Sequence, residues 1–159
     1  MTAGVIAERL ERLGLELPVQ QAPRHPYLAA REDAGMLYLS GKTAMLDGVV
    51  QYRGPLRTAD DIEHGRQAAR LCALQVLAAI EAAVGLQRVE SVLRLTGYVA
   101  SDPGFESQPD VVNAASELLV EVLGDAGRHT RSAIGVAALP GGSAVELEAT
   151  VRLIPEAGR

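Results

Sequence analysis

Two charges stand inside stretches that otherwise look built for a protein interior. Arg131 opens "RSAIGVAALP", and Glu148 sits within "AVELEATV". A guanidinium is a planar fork of N–H donors that fits a carboxylate in two-pronged fashion. A carboxylate can orient water and carry protons. Period-two alternation by itself reads both more plainly. Val145, Leu147, Ala149 and Val151 share one face of the last strand, and Glu146, Glu148, Thr150 and Arg152 share the other. A sheet covered by helices on one side shows its second face to water or to another subunit. Glu148 is thus predicted opposite the helix-covered core, and Arg131 as a surface arginine at a strand end. Alternation does not set strand pairing, so it leaves their separation open.

The elements that must position these charges follow from periodicity. Thr2 is a candidate cap for a short helix over residues 3–13, with Ile6, Leu10 and Leu13 on one side and Gly14 as its stop. "QQAPRHPY" is extended, because residues before proline avoid the helical region. "MLYLSG" is a short strand, and "DGVVQYRG" opens with an Asp-Gly turn into another. "TADDIEHGRQAARLCALQVLAAIEAAVG" is a strong helix, with Thr58 or Asp60 as cap candidates and Gly85 as its end. Its stripe is Ala69, Cys72, Ala73, Val76, Ile80 and Ala83. Leu71, Leu74 and Leu77 then need a second cover, and the N-terminal helix is predicted to supply it.

"VESVLRLTGYVAS" is a strand in which Val92, Arg94, Thr96 and Tyr98 alternate with Leu93, Leu95, Gly97 and Val99. Pro109 suits the first turn of a further helix, whose stripe is Val111, Ala115, Leu118 and Val122 and whose stop is Gly124. Residues 127–153 read as two strands joined by a glycine turn around "LPGGS", with hairpin-like pieces expected at both ends of the chain. A layered α+β domain follows, a sheet with two helices on one face.

Composition narrows the function classes. The chain has 159 residues and a net charge of -5, and Lys42 is its one lysine. Without a basic face interleaved with aromatics, no nucleic-acid partner is expected. Cys72 is the single cysteine, so no disulfide forms within the chain. His25, His64 and His129 are far apart and show no metal-ligand spacing. Neither a secretory signal nor a run of about 20 apolar residues is present, so no membrane partner is expected and a cytoplasmic protein is the default. No G-x-G-x-x-G or P-loop pattern supports a nucleotide site.

"LYLSG", "RLTGYV", "VVNAASELL", "RHTRSAIGVAALP" and "VELEATV" occur in an order that resembles the YjgF/RidA family, also called the endoribonuclease L-PSP family. The likeness covers about residues 26–153 and points to a divergent branch with a longer N-terminal segment. It implies one domain over 1–159, with 1–17 a helical extension and 26–153 the core. It further implies a chorismate-mutase-like α+β fold, a mixed and mainly antiparallel sheet, and a homotrimer with clefts between subunits.

What the resemblance implies for chemistry is specific. Arg131 matches an arginine that holds the carboxylate of a small 2-imino acid. Glu148 matches a glutamate that handles water and protons as the imine becomes a 2-oxo acid and ammonia. Tyr27, Ser40, Gly41 and Asn113 match residues that line the cleft. No metal or organic cofactor is implied, because a protonated imine is already a strong electrophile. The alternative is a trimer that binds a small carboxylate without turnover. Ala133 stands where the family often has cysteine, and Lys42 where it often has glutamine; both bear on substrate identity.

Overall fold

The structure, a computed structural model, describes residues 2–20 and 26–155. Its elements in chain order are α1 (Ala3–Arg12), β1 (Ala30–Asp33), β2 (Met36–Thr43), β3 (Met45–Leu46), β4 (Val49–Val50), α2 (Ile62–Ala83), β5 (Val89–Ala100), α3 (Gln108–Leu123), β6 (Thr130–Val136) and β7 (Val145–Leu153). Five strands form one sheet in the order β1-β2-β7-β5-β6. The β5–β6 pair is parallel and the other pairs are antiparallel. A small hairpin, β3–β4, stands apart from it. Its turn places Asp47 and Gly48 at positive φ, as an Asp-Gly two-residue turn requires.

Helices α2 and α3 pack together and cover one face of the sheet. Leu37, Leu95, Val99, Leu147 and Val151 point into that layer and are fully buried. They meet the α2 stripe and the predicted α3 stripe of Val111, Ala115, Leu118 and Val122. Close approach is built in at Gly97, where a Cβ would lie 2.7 Å from a Val112 methyl. Fixed neighbours of that kind admit only glycine without repacking.

Several expectations are corrected. The final two strands are not a hairpin. β7 lies between β2 and β5, while β6 takes the sheet edge beside β5. The burial of β7 alternates strictly over nine residues, which suits a central strand, whereas β6 is half exposed throughout, which suits an edge. The alternation of β5 is broken by register shifts between Val89 and Ser91 and between Val92 and Arg94. Val92 therefore faces the core together with Leu95 rather than opposite to it. Ala83 is exposed, so the α2 stripe ends at Ile80.

Helix α1 does not cover the outer leucines of α2. It packs on α3, where Ile6 is buried and the Arg9 guanidinium donates to the Val122 carbonyl at 3.0 Å. That carbonyl lies in the last turn of α3, where intrahelical donors run out. Gly124 ends α3 at positive φ and leaves room for Arg9. Leu71 and Leu74 instead line a groove with Leu15, from the segment that follows α1. The Thr2 side chain makes no capping bond. At the start of α2, Thr58 takes the cap position, and the Asp61 carboxylate accepts from the Thr58 and Arg57 amides at 3.0 and 2.7 Å.

Candidate functional site

Register fixes where the two charges go. Arg131 pairs with Leu95, which pairs with Ala149, so Arg131 projects on the helix-covered side of the sheet. Being on the edge strand, it reaches α3 instead of the core. Its guanidinium donates to the Asn113 side-chain carbonyl at 2.9 Å, to the Ser116 hydroxyl at 3.1 Å and to the Pro109 carbonyl at 3.3 Å. All three acceptors are neutral. Among the described residues no carboxylate pairs with it, although the chain is acidic overall.

Glu148 pairs with Thr96, one position out of phase with Ala149, and projects from the open face. There it accepts from the Tyr98 hydroxyl at 3.1 Å. Desolvation, and then the hydrogen bond to Glu148, hold the Tyr98 hydroxyl above its usual pKa. Beside them lies Glu146, also on the open face. Its pKa is raised by desolvation first and by the neighbouring Glu148 charge second. Arg131 and Glu148 of one protomer thus lie on opposite faces of the sheet and two strands apart, roughly 10 Å at the usual strand spacing.

The remaining candidates divide between the two ends of the sheet. Asn113 joins Arg131 directly. Ser40 and Gly41 lie on β2, three strand spacings from β6, or roughly 14 Å. The Ser40 hydroxyl donates to the Leu28 carbonyl at 2.6 Å and fastens that segment to β2. Tyr27, in the same segment, is 54% exposed, a large aromatic surface for a residue held so near the sheet. Gly41 sits at a register shift between Leu39 and Lys42. A Cβ there would fall 1.9 Å from a Glu146 carboxylate oxygen, so glycine is what lets Glu146 lie against β2. The Lys42 ammonium donates to the Gln20 side-chain carbonyl at 3.2 Å, and Gln20 in turn donates to Gln75 of α2. Desolvation there lowers the pKa of Lys42.

Sequence reasoning missed four participants. Tyr98 and Glu146 share the open face with Glu148. Ser116 is three residues beyond Asn113, on the same side of α3. His129 is two residues before Arg131, just ahead of β6. Those spacings were the available signal, but tertiary packing sorts the four into two groups: Tyr98 and Glu146 join Glu148 on the open face, while Ser116 and His129 join Arg131 on the helix-covered side. Among the described residues no cluster of His, Cys, Asp and Glu is arranged to hold a metal ion, and no helix is long and apolar enough to cross a membrane.

This fold matches a known class. Residues 7–148 match the family described as "YjgF/chorismate mutase-like, putative endoribonuclease", and the chain belongs to that family. Within it, the chain is 41% identical over 155 residues to Protein TCP17 of Trypanosoma cruzi, covering 96% of this chain and 97% of that one. The crystal structure of Atu1372 from Agrobacterium tumefaciens, whose function is unknown, superposes with a TM-score of 0.88 at 38% identity, over 96% of this chain and 95% of that chain. An endoribonuclease-like protein from Shewanella oneidensis MR-1 superposes with a TM-score of 0.87 at 31% identity, over 93% and 99% of the two chains.

Proposed function

We propose that this protein is an enamine/imine deaminase, hydrolysing small 2-imino acids to 2-oxo acids and ammonia in clefts of a homotrimer in the cytoplasm. The observation that carries the reading is the state of Arg131. A half-buried guanidinium is held in place by Asn113, Ser116 and Pro109, yet its charge is answered by no carboxylate among the described residues. A small anion would complete it, and a planar carboxylate fits the fork that Nε and Nη2 still offer.

The chemistry then needs one water. The protonated imine carbon accepts water to give a tetrahedral carbinolamine. A proton passes from the added oxygen to the nitrogen, the C–N bond breaks, and a 2-oxo acid and ammonium leave. Glu148 is the group proposed to orient that water and shuttle the proton. Because Glu148 lies on the opposite face from Arg131 in one chain, the complete site requires Glu148, with Tyr27, Ser40 and Gly41, to come from a neighbouring protomer. Trimer formation is therefore part of the proposal.

A second reading is a trimer that binds a small carboxylate without turnover. The engagement of Glu148 with Tyr98 favours it, since a carboxylate occupied by a phenol is less available to water. One experiment separates the two. The protein is incubated with freshly generated 2-iminopropanoate and its disappearance is followed, while binding of 2-oxobutanoate is measured in parallel. Loss of imine faster than in buffer, abolished by Arg131→Ala, supports the deaminase. Binding without accelerated loss supports the second reading, and neither binding nor turnover rejects both.

A further inference from the structure

Behind Arg131 runs a hydrogen-bonded chain with one arrangement of protons. The Ser116 hydroxyl oxygen accepts from Arg131 at 3.1 Å and lies 3.0 Å from Nε2 of His129. Nδ1 of His129 lies 2.6 Å from the Gly127 carbonyl. A carbonyl can only accept, so Nδ1 carries the proton. In the neutral ring Nε2 is then an acceptor, and Ser116 must donate to it. With its hydrogen so committed, Ser116 turns its lone pairs toward Arg131. The neutral ring therefore sets the rotor that holds the guanidinium.

We propose that His129, acting through Ser116, is a positioning residue for Arg131, and that its protonation couples to carboxylate binding at that arginine. This rests on the ligand reading of Arg131 given above. A proton on Nε2 turns it into a donor. Ser116 must then face two cationic donors, imidazolium and guanidinium, on one oxygen. A bound carboxylate relieves that conflict by supplying negative charge beside Arg131. The coupling is reciprocal: the carboxylate favours the protonated ring, and the protonated ring favours the carboxylate by the same factor.

Burial holds the ring toward its neutral form, and Arg131 adds to that effect against the Gly127 hydrogen bond. Of the other charges on the elements around it, Asp110 on α3 and Glu90 on β5 show no side-chain partner among the described residues, and Glu121 on α3 pairs with Arg70 at 3.2 Å. On the turn after α3, Arg128 pairs with Asp125 at 3.2 Å. On α3, Glu117 pairs with Arg66 at 2.8 Å. On β5, Arg94 bonds Thr96 and Ser132.

The test has two arms. Without ligand, the His129 ring is titrated by NMR, with its resonance assigned by its loss in His129→Gln. Arg131→Gln is expected to raise its pKa; an unchanged value overturns the coupling. With 2-oxobutanoate, wild type is expected to bind about fivefold or more tightly at pH 5.5 than at pH 7.5. His129→Gln, which keeps an acceptor for Ser116 but cannot titrate, is expected to bind with no such pH dependence. His129→Ala is expected to bind weakly at both values, because Ser116 loses its acceptor. Equal pH dependence in wild type and His129→Gln overturns the proposal. No binding at either pH overturns the ligand reading of Arg131, and the first arm alone then decides whether the proton coupling exists.

Discussion

Glu146 is a residue whose ionisation works against the fold. Its half-buried carboxyl is pushed up by desolvation and by Glu148, so the folded state holds its proton more tightly than the unfolded state does. For a raised carboxyl, stability is present below the unfolded value and is lost as pH rises through the folded one. Glu146→Gln is therefore expected to raise the melting temperature at pH 7 and to have little effect near pH 4, as followed by thermal denaturation at both values. An equal gain at both would mean that packing, not charge, is responsible. Gly41 leaves the space that this carboxyl occupies against β2. Arg131 is the converse case. Its type and place were legible as a charge in an apolar strand, but its partners Ser116 and His129 were not, because they come from a helix face and a strand start that only tertiary packing joins.

Two elements carry sharp expectations. The turn after α3 passes so close to the helix that a Cβ on Gly127 would lie 2.2 Å from the Leu119 carbonyl oxygen. A backbone atom cannot swing away as a side chain can. Gly127→Ala is expected to destabilise by about 2–3 kcal/mol or more in chemical denaturation, with displacement of the His129 backbone that follows it. Helix α1 is the opposite case, joined to α3 by buried Ile6 and by Arg9 at Val122. Ile6→Ala is expected to release α1 while the sheet stays folded. Hydrogen exchange would then speed up across residues 3–12 and remain slow in β5 and β7. The existence of α1, α2 and α3 and their glycine stops at Gly85 and Gly124 was readable from period and punctuation. The docking of α1 was not, since an amphipathic stripe says that a helix needs a partner without saying which.

For the whole molecule, the open face of the sheet sets the expectation. Tyr38 and Ile134 are 50% and 44% exposed, beside Glu148, Tyr98 and Arg94, on a sheet whose other face carries α2 and α3. The deaminase proposal requires a trimer in which this face of one chain, with Glu148, lies against the sheet edge of another that carries Arg131. Light scattering coupled to size exclusion is expected to give three times the chain mass. A monomer at micromolar concentration would remove the cleft and the deaminase reading with it.

The sequence by itself determined the helices, most strand positions, the face on which Glu148 lies and the family to which the chain is similar, because periods of two and 3.6 and local turn chemistry are written in neighbouring residues. Strand order was decided only in three dimensions. The glycine turn at 140–142 joins β6 to β7 in the chain, yet β7 gains more by burying its alternating apolar face between β2 and β5. That insertion sends β6 to the edge, turns Arg131 toward α3 and His129, and leaves Glu148 on the far side of the sheet.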